Sequence, residues 1–172
     1  MTNEQEQLRN PFEQGPYIQV ACICEKVLVE QDGVKSAIRI VDRVIVTTAV
    51  DNPPEEMEPY TANYFFLIKL IAGSTRGTNN LELQLQKPSG ESRTPQRIVI
   101  NFEGDDNRPV DITGPLRVTF DMPGLYWLDI FFNGSRLSRM PLSVVYLPQS
   151  RTGSTPPDNP PPSGDNPSTG DG

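Results

Sequence analysis

Apolar residues in this chain recur at every second position and never, over the length of a helix, at every third or fourth. Leu81, Leu83 and Leu85 alternate with Glu82, Gln84 and Gln86, a repeat that gives a strand one buried and one wetted face. Ile98, Ile100 and Phe102 repeat the pattern, as do Leu116, Val118 and Phe120. Strands without helices must cover one another's apolar faces, so the pattern predicts an all-β, antiparallel sandwich of seven to eight strands.

Turn residues divide the run. Tyr17 to Glu30 reads as the first strand, and Asp32-Gly33 closes a hairpin onto a second run from Val34 to Thr47. The run from Ala62 to Ala72 is apolar on both faces, as a central strand is. Asn133-Gly134 supplies two residues that tolerate positive φ and predicts a type I′ turn between Leu125–Phe132 and Arg136–Leu147. A two-residue loop pairs Phe132 with Ser135, Ile130 with Leu137 and Trp127 with Met140, and places Arg139 opposite Leu128. A bulge or an end to regular pairing is expected near Pro141, which has no N–H to give.

Outside this run the composition changes. Residues 149–172 hold six of the chain's 18 prolines and, apart from Gln149 and Arg151, only Pro, Gly, Ser, Thr, Asp and Asn. With no apolar surface to offset ordering, they are expected to form a disordered tail. The expected organisation is a polar arm over 1–15, a sandwich over 16–148 and the tail over 149–172. Fifteen basic against 22 acidic residues give a net charge of −7, which disfavours a nucleic-acid partner. No apolar run reaches the length of a membrane span. Met1 to Phe12 has neither a basic region nor an apolar core of the signal-peptide kind, so a cytoplasmic protein is expected.

The chain contains no histidine, which removes Ser-His-Asp and Cys-His catalysis and every imidazole metal site. No phosphate-binding loop or nucleophile motif replaces them, and neither a cofactor nor an enzymatic activity is predicted. Cys22 and Cys24, two apart on one strand face, are poorly placed for a disulfide and are expected to be reduced and half-buried. Asp42-Arg43 interrupts an apolar run; adjacent strand residues point to opposite faces, so each needs its own partner. Glu25 and Arg39 come within cross-strand reach if the hairpin closes about Asp32-Gly33. These four residues are expected to form a structural polar cluster at a switch between sheets. Glu103, Asp105, Asp106, Asn107 and Asp111 offer hard oxygen ligands of the kind calcium takes, but their spacing fits no EF-hand, and a solvated loop is the favoured reading.

Gly124-Leu125-Tyr126, at the start of a late strand, resembles the tyrosine corner of immunoglobulin-like domains. Asp121 lies one residue further from Tyr126 than the acid of that pattern, and Leu128 stands where antibody domains carry their second cysteine. More broadly, Cys24-Glu25, Asp32-Gly33, Ile38 to Arg43, Gly124 to Trp127 and Arg139 to Leu142 resemble a family of small bacterial proteins classed as a domain of unknown function. The resemblance implies a single bacterial sandwich domain and brings no catalytic residue with it. The function expected from these readings is non-catalytic binding of an unidentified protein through a sheet edge or loop end, with a calcium- or small-ligand-binding module of the C2 kind as the alternative.

Overall fold

The computed structural model describes residues 15–48, 57–104 and 109–148. They form nine strands: β1 (Tyr17–Val29), β2 (Lys35–Ile40), β3 (Arg43–Thr48), β4 (Tyr60–Ile71), β5 (Gly77–Gln86), β6 (Gln96–Phe102), β7 (Pro109–Phe120), β8 (Gly124–Phe132) and β9 (Ser135–Pro148). Two sheets result, ordered β2-β1-β4-β7 and β3-β9-β8-β5-β6. Taking β1, β4 and β7 as strands A, B and E, and β5, β6, β8 and β9 as C, C′, F and G, reproduces the immunoglobulin arrangement. The expected sandwich is therefore present, with two differences. The run from Val34 to Thr47 divides at Val41-Asp42, which adds a strand and carries the chain from one sheet to the other. β3 then runs parallel to β9, Arg43 opposite Ser143, so the sandwich is not wholly antiparallel.

The alternating residues meet between the sheets as the period requires. Phe66, Ile68 and Leu70 of β4 face Leu81, Leu128 and Ile130 of the other sheet, all 1% exposed or less. Burying a side chain of this size contributes about 1.5–3 kcal/mol.

The hairpin of β8 and β9 turns where predicted, with Asn133 at φ 46° and Gly134 at φ 82°. Its register departs from expectation after two pairs. Phe132 faces Ser135 and Phe131 faces Arg136, but a bulge then absorbs Leu137 and Ile130 faces Ser138. Trp127 consequently meets Pro141 instead of Met140, and Arg139 lies opposite Asp129 instead of Leu128. The early bulge lets Arg139 grip the buried Asp129 carboxylate, Nε to Oδ1 at 2.9 Å and Nη2 to Oδ2 at 3.0 Å, while the guanidinium lies 4.5 Å from the centre of the Trp127 ring. Ladder pairing continues past Pro141 as far as Val144.

β1 is the strand that shapes the site. From Tyr17 to Cys24 it pairs with β4, and from Lys26 to Val29 it pairs, among the described residues, only with β2. If β1 were straight, Val20 and Val29 would be roughly 30 Å apart. Yet Lys35, the partner of Val29, places Nζ 2.8 Å from Asp111 Oδ2, and Asp111 faces Lys69, which itself faces Val20. The hairpin therefore folds back as a flap over the outer face of its own sheet. Its hinge lies where the β1–β2 register skips Glu25 and Arg39; Arg39 takes φ 53°, at a cost of about 1–2 kcal/mol for a residue with a Cβ. Cover from the flap accounts for the apolar residues on both faces of β4, since Leu67, on the outer face, is only 7% exposed.

Candidate functional site

The space between flap and sheet is a cleft of about 1070 Å³. Val34, Lys35 and Ile40 bound it from the hairpin, and Val20, Leu67 and Lys69 from the sheet. Its polar centre is Asp111. The carboxylate receives Lys35 at 2.8 Å on Oδ2 and Lys69 at 3.5 Å on Oδ1, and Oδ1 accepts no directed hydrogen bond. Burial alone would raise this carboxyl's pKa, but the Lys35 ammonium, backed by Lys69, outweighs it and holds the pKa below the ordinary value. Lys35 and Lys69 were not among the residues singled out from sequence. The signal was there in Lys69, a lone charge among Phe65, Leu67 and Ile71 on one strand face, which needs a partner.

Asp111 thus lies on strand β7, opposite Lys69, and not in an acidic loop. Its carboxylate is engaged by two lysines. Asp105, Asp106 and Asn107 lie outside the described residues, and Glu103 follows the end of β6. Among the described residues no three His, Cys, Asp or Glu side chains are grouped so as to hold a metal ion.

Glu25, Arg39, Asp42 and Arg43 all line a second, smaller cleft of about 330 Å³ at the hinge, together with Tyr60 and Tyr64. Glu25 and Arg39 pair at 3.2 Å, both well exposed. The Asp42 carbonyl accepts the Ser143 N–H at 2.8 Å, which fixes the crossing to the second sheet. Among the described residues neither the Asp42 nor the Arg43 side chain forms an ion pair. Burial raises the pKa of the Tyr64 phenol.

Cys22 borders the large cleft and Cys24 is fully buried at the hinge; both are free thiols. Burial pushes both pKa values up, the opposite of what an activated thiolate needs.

Gly124 and Tyr126 form a tyrosine corner. The Tyr126 hydroxyl accepts the N–H groups of Asp121 and Met122, each at 3.3 Å, and its proton faces the Met122 carbonyl at 3.0 Å and Asp121 Oδ1 at 3.2 Å. Lys87, 2.6 Å from Asp121 Oδ2, is the main cause of that carboxyl's lowered pKa. Gly124 sits at φ 126°, and a Cβ there would come within 2.9 Å of the Pro88 ring. The corner therefore orients the entry to β8 and lies apart from either cleft.

No helix of the described residues is long and apolar enough to cross a membrane. No protein-family model matches the chain, and no curated protein matches its sequence. Among solved structures it is similar to an immunoglobulin-like protein from Pseudomonas aeruginosa, with 15% identity and a TM-score of 0.37, over 76% of this chain and 96% of that one. The immunoglobulin-like architecture described here rests on this chain's own strand order and tyrosine corner.

Proposed function

We propose that this chain is a non-catalytic binding module that holds another protein in the cleft between the β1–β2 flap and the outer face of its sheet. The observation that carries the reading is the folded-back hairpin. A strand pair that leaves the sandwich and returns over it encloses a space that core packing does not require, bounded by apolar residues around a few polar groups, as binding clefts are. A chain without histidine, whose two thiols are shifted away from reactivity, supports binding over catalysis. The fold itself hosts many functions and decides nothing here.

The test is affinity capture from the source cells with the full chain and with Asp111→Lys, which sets a third cation against Lys35 and Lys69 and opens the flap. A partner recovered with the native chain and lost with the folded variant is the expected result. Equal recovery with both, or recovery of none, would overturn the reading.

A further inference from the structure

Beyond the cleft's outline, the backbone that borders it is incomplete. β2 pairs with β1 only as far as Cys24, because the chain then leaves for the second sheet at Val41-Asp42. Among the described residues no strand therefore lies beside β1 on that side at Val20 and Ala21. Ile23 gives its carbonyl to the Val41 N–H at 2.8 Å, which fixes the direction of its backbone groups toward that row. Backbone direction alternates along a strand, so Ala21 presents its N–H and C=O the same way. Among the described residues nothing pairs with them. Ala21 lines the large cleft and also a smaller groove of about 230 Å³ that runs on toward Val41 and Pro141.

Three other edges, on β7, β6 and β9, are blunted. β7 contains Pro109 and Pro115, and β6 carries Arg97, ion-paired to Glu82 at 3.1 Å. On β9 the Ser143 N–H bonds toward β3, so Pro141, two residues earlier, faces the same side without a donor. Unprotected edges are hazards that proteins normally remove. Here the Ala21 edge is retained, recessed under the flap.

Resting on the binding role proposed above, we propose that the occupant is an extended peptide segment of a partner protein, which adds as a strand to β1 at Ala21 and carries an acidic side chain that meets Lys69. Added strands gain affinity from main-chain bonds and specificity from alternate side chains. Exposed Val20, Val34 and Ile40, at 42%, 58% and 66%, supply the apolar contacts. Lys69 supplies the charge. Its ammonium has three donors, and Asp111 meets it only at 3.5 Å. Asp32, the other acid of the cleft, is held in the turn by the Val34 N–H at 3.0 Å.

The experiment titrates the ¹⁵N-labelled full chain with the blocked octapeptide Ser-Val-Thr-Val-Glu-Val-Thr-Ser. Saturable shifts centred on 19–23 are expected, with exchange of the Ala21 amide slowed at least tenfold. N-methylation of alternate peptide residues should weaken binding at least tenfold in one phase and little in the other. Lysine in place of glutamate should weaken it severalfold, and Lys69→Ala should abolish that preference. Equal binding of both N-methylated phases, shifts centred on β6, or no saturable shift at millimolar peptide would overturn the proposal. An Ala21 amide already protected in the free chain would also overturn it: release on removing residues 1–14 or 149–172 would identify the chain's own segment as occupant, and dependence on protein concentration would identify a second copy. Partner capture that depends on the flap but leaves Ala21 unchanged would refute strand addition while sparing the binding role.

Discussion

Replacing Tyr126 by Phe removes one oxygen from a buried corner and leaves the ring in place. That ring packs edge-on against Phe120, with centroids 5.2 Å apart and planes at 86°, a contact the substitution preserves. What is lost is the acceptor for the amides of Asp121 and Met122 and the donor to the Met122 carbonyl. A buried polar group left without a partner costs about 1–3 kcal/mol. The two amides belong to half-buried residues and their bonds are long, at 3.3 Å, so water recovers part of the loss and the cost should be about 1–2 kcal/mol. For a domain of this size that is a fall in Tm of about 3–10 °C. Urea unfolding should show a lower midpoint with an unchanged slope. Tyr126→Leu, which also forfeits the ring contact, should cost about 1–2 kcal/mol more. A Phe variant as stable as the native chain, or one as damaged as the Leu variant, would refute a hydroxyl-centred corner.

Two further predictions concern the charged groups. Asp111→Asn should lower stability at pH 7 by about 1–2 kcal/mol, since the lost partner is a charge-assisted hydrogen bond at a half-buried site. Because the folded carboxyl titrates below the unfolded one, near pH 3.9, the native chain's advantage is fully present above that value and is lost as pH falls through the folded pKa. Urea midpoints measured from pH 7 to pH 3 should therefore converge, and a difference that persists or grows toward low pH would contradict the ion pair. Arg139→Met leaves the Asp129 carboxylate buried without its main partner, whereas adding Asp129→Val removes the stranded charge as well. The double variant should have a higher urea midpoint than the single one, and a lower midpoint would refute the pairing.

Much of the sandwich was legible because its strands obey one period. The Leu81–Leu85 alternation, the Asn133-Gly134 turn and the Tyr126 corner depend on neighbours in sequence, and all three are found where expected. The bulge at Leu137 was not legible: an extra residue changes no local propensity, and it is favoured by a pairing of Arg139 with Asp129 that spans two strands. The division at Val41-Asp42 was signalled by a charge pair in an apolar run, but not that β3 would then run parallel to β9. The flap was hidden for the same reason. Its latch joins Lys35 to a residue 76 positions away, and nothing near either one marks the other. Of the polar cluster at the hinge, the Glu25–Arg39 pair followed from hairpin register, whereas the large cleft beside it follows from a bend that register alone does not reveal.

The large cleft exists only while the flap is closed, and zero-length carbodiimide coupling of the full chain tests that closure directly. Lys35 Nζ and Asp111 Oδ2, 2.8 Å apart, should form an amide recovered by mass spectrometry as one cross-linked peptide pair, alongside the Lys87–Asp121 pair at 2.6 Å as an internal control. Recovery of the control without the Lys35–Asp111 link would contradict the closed flap, and the cleft with it.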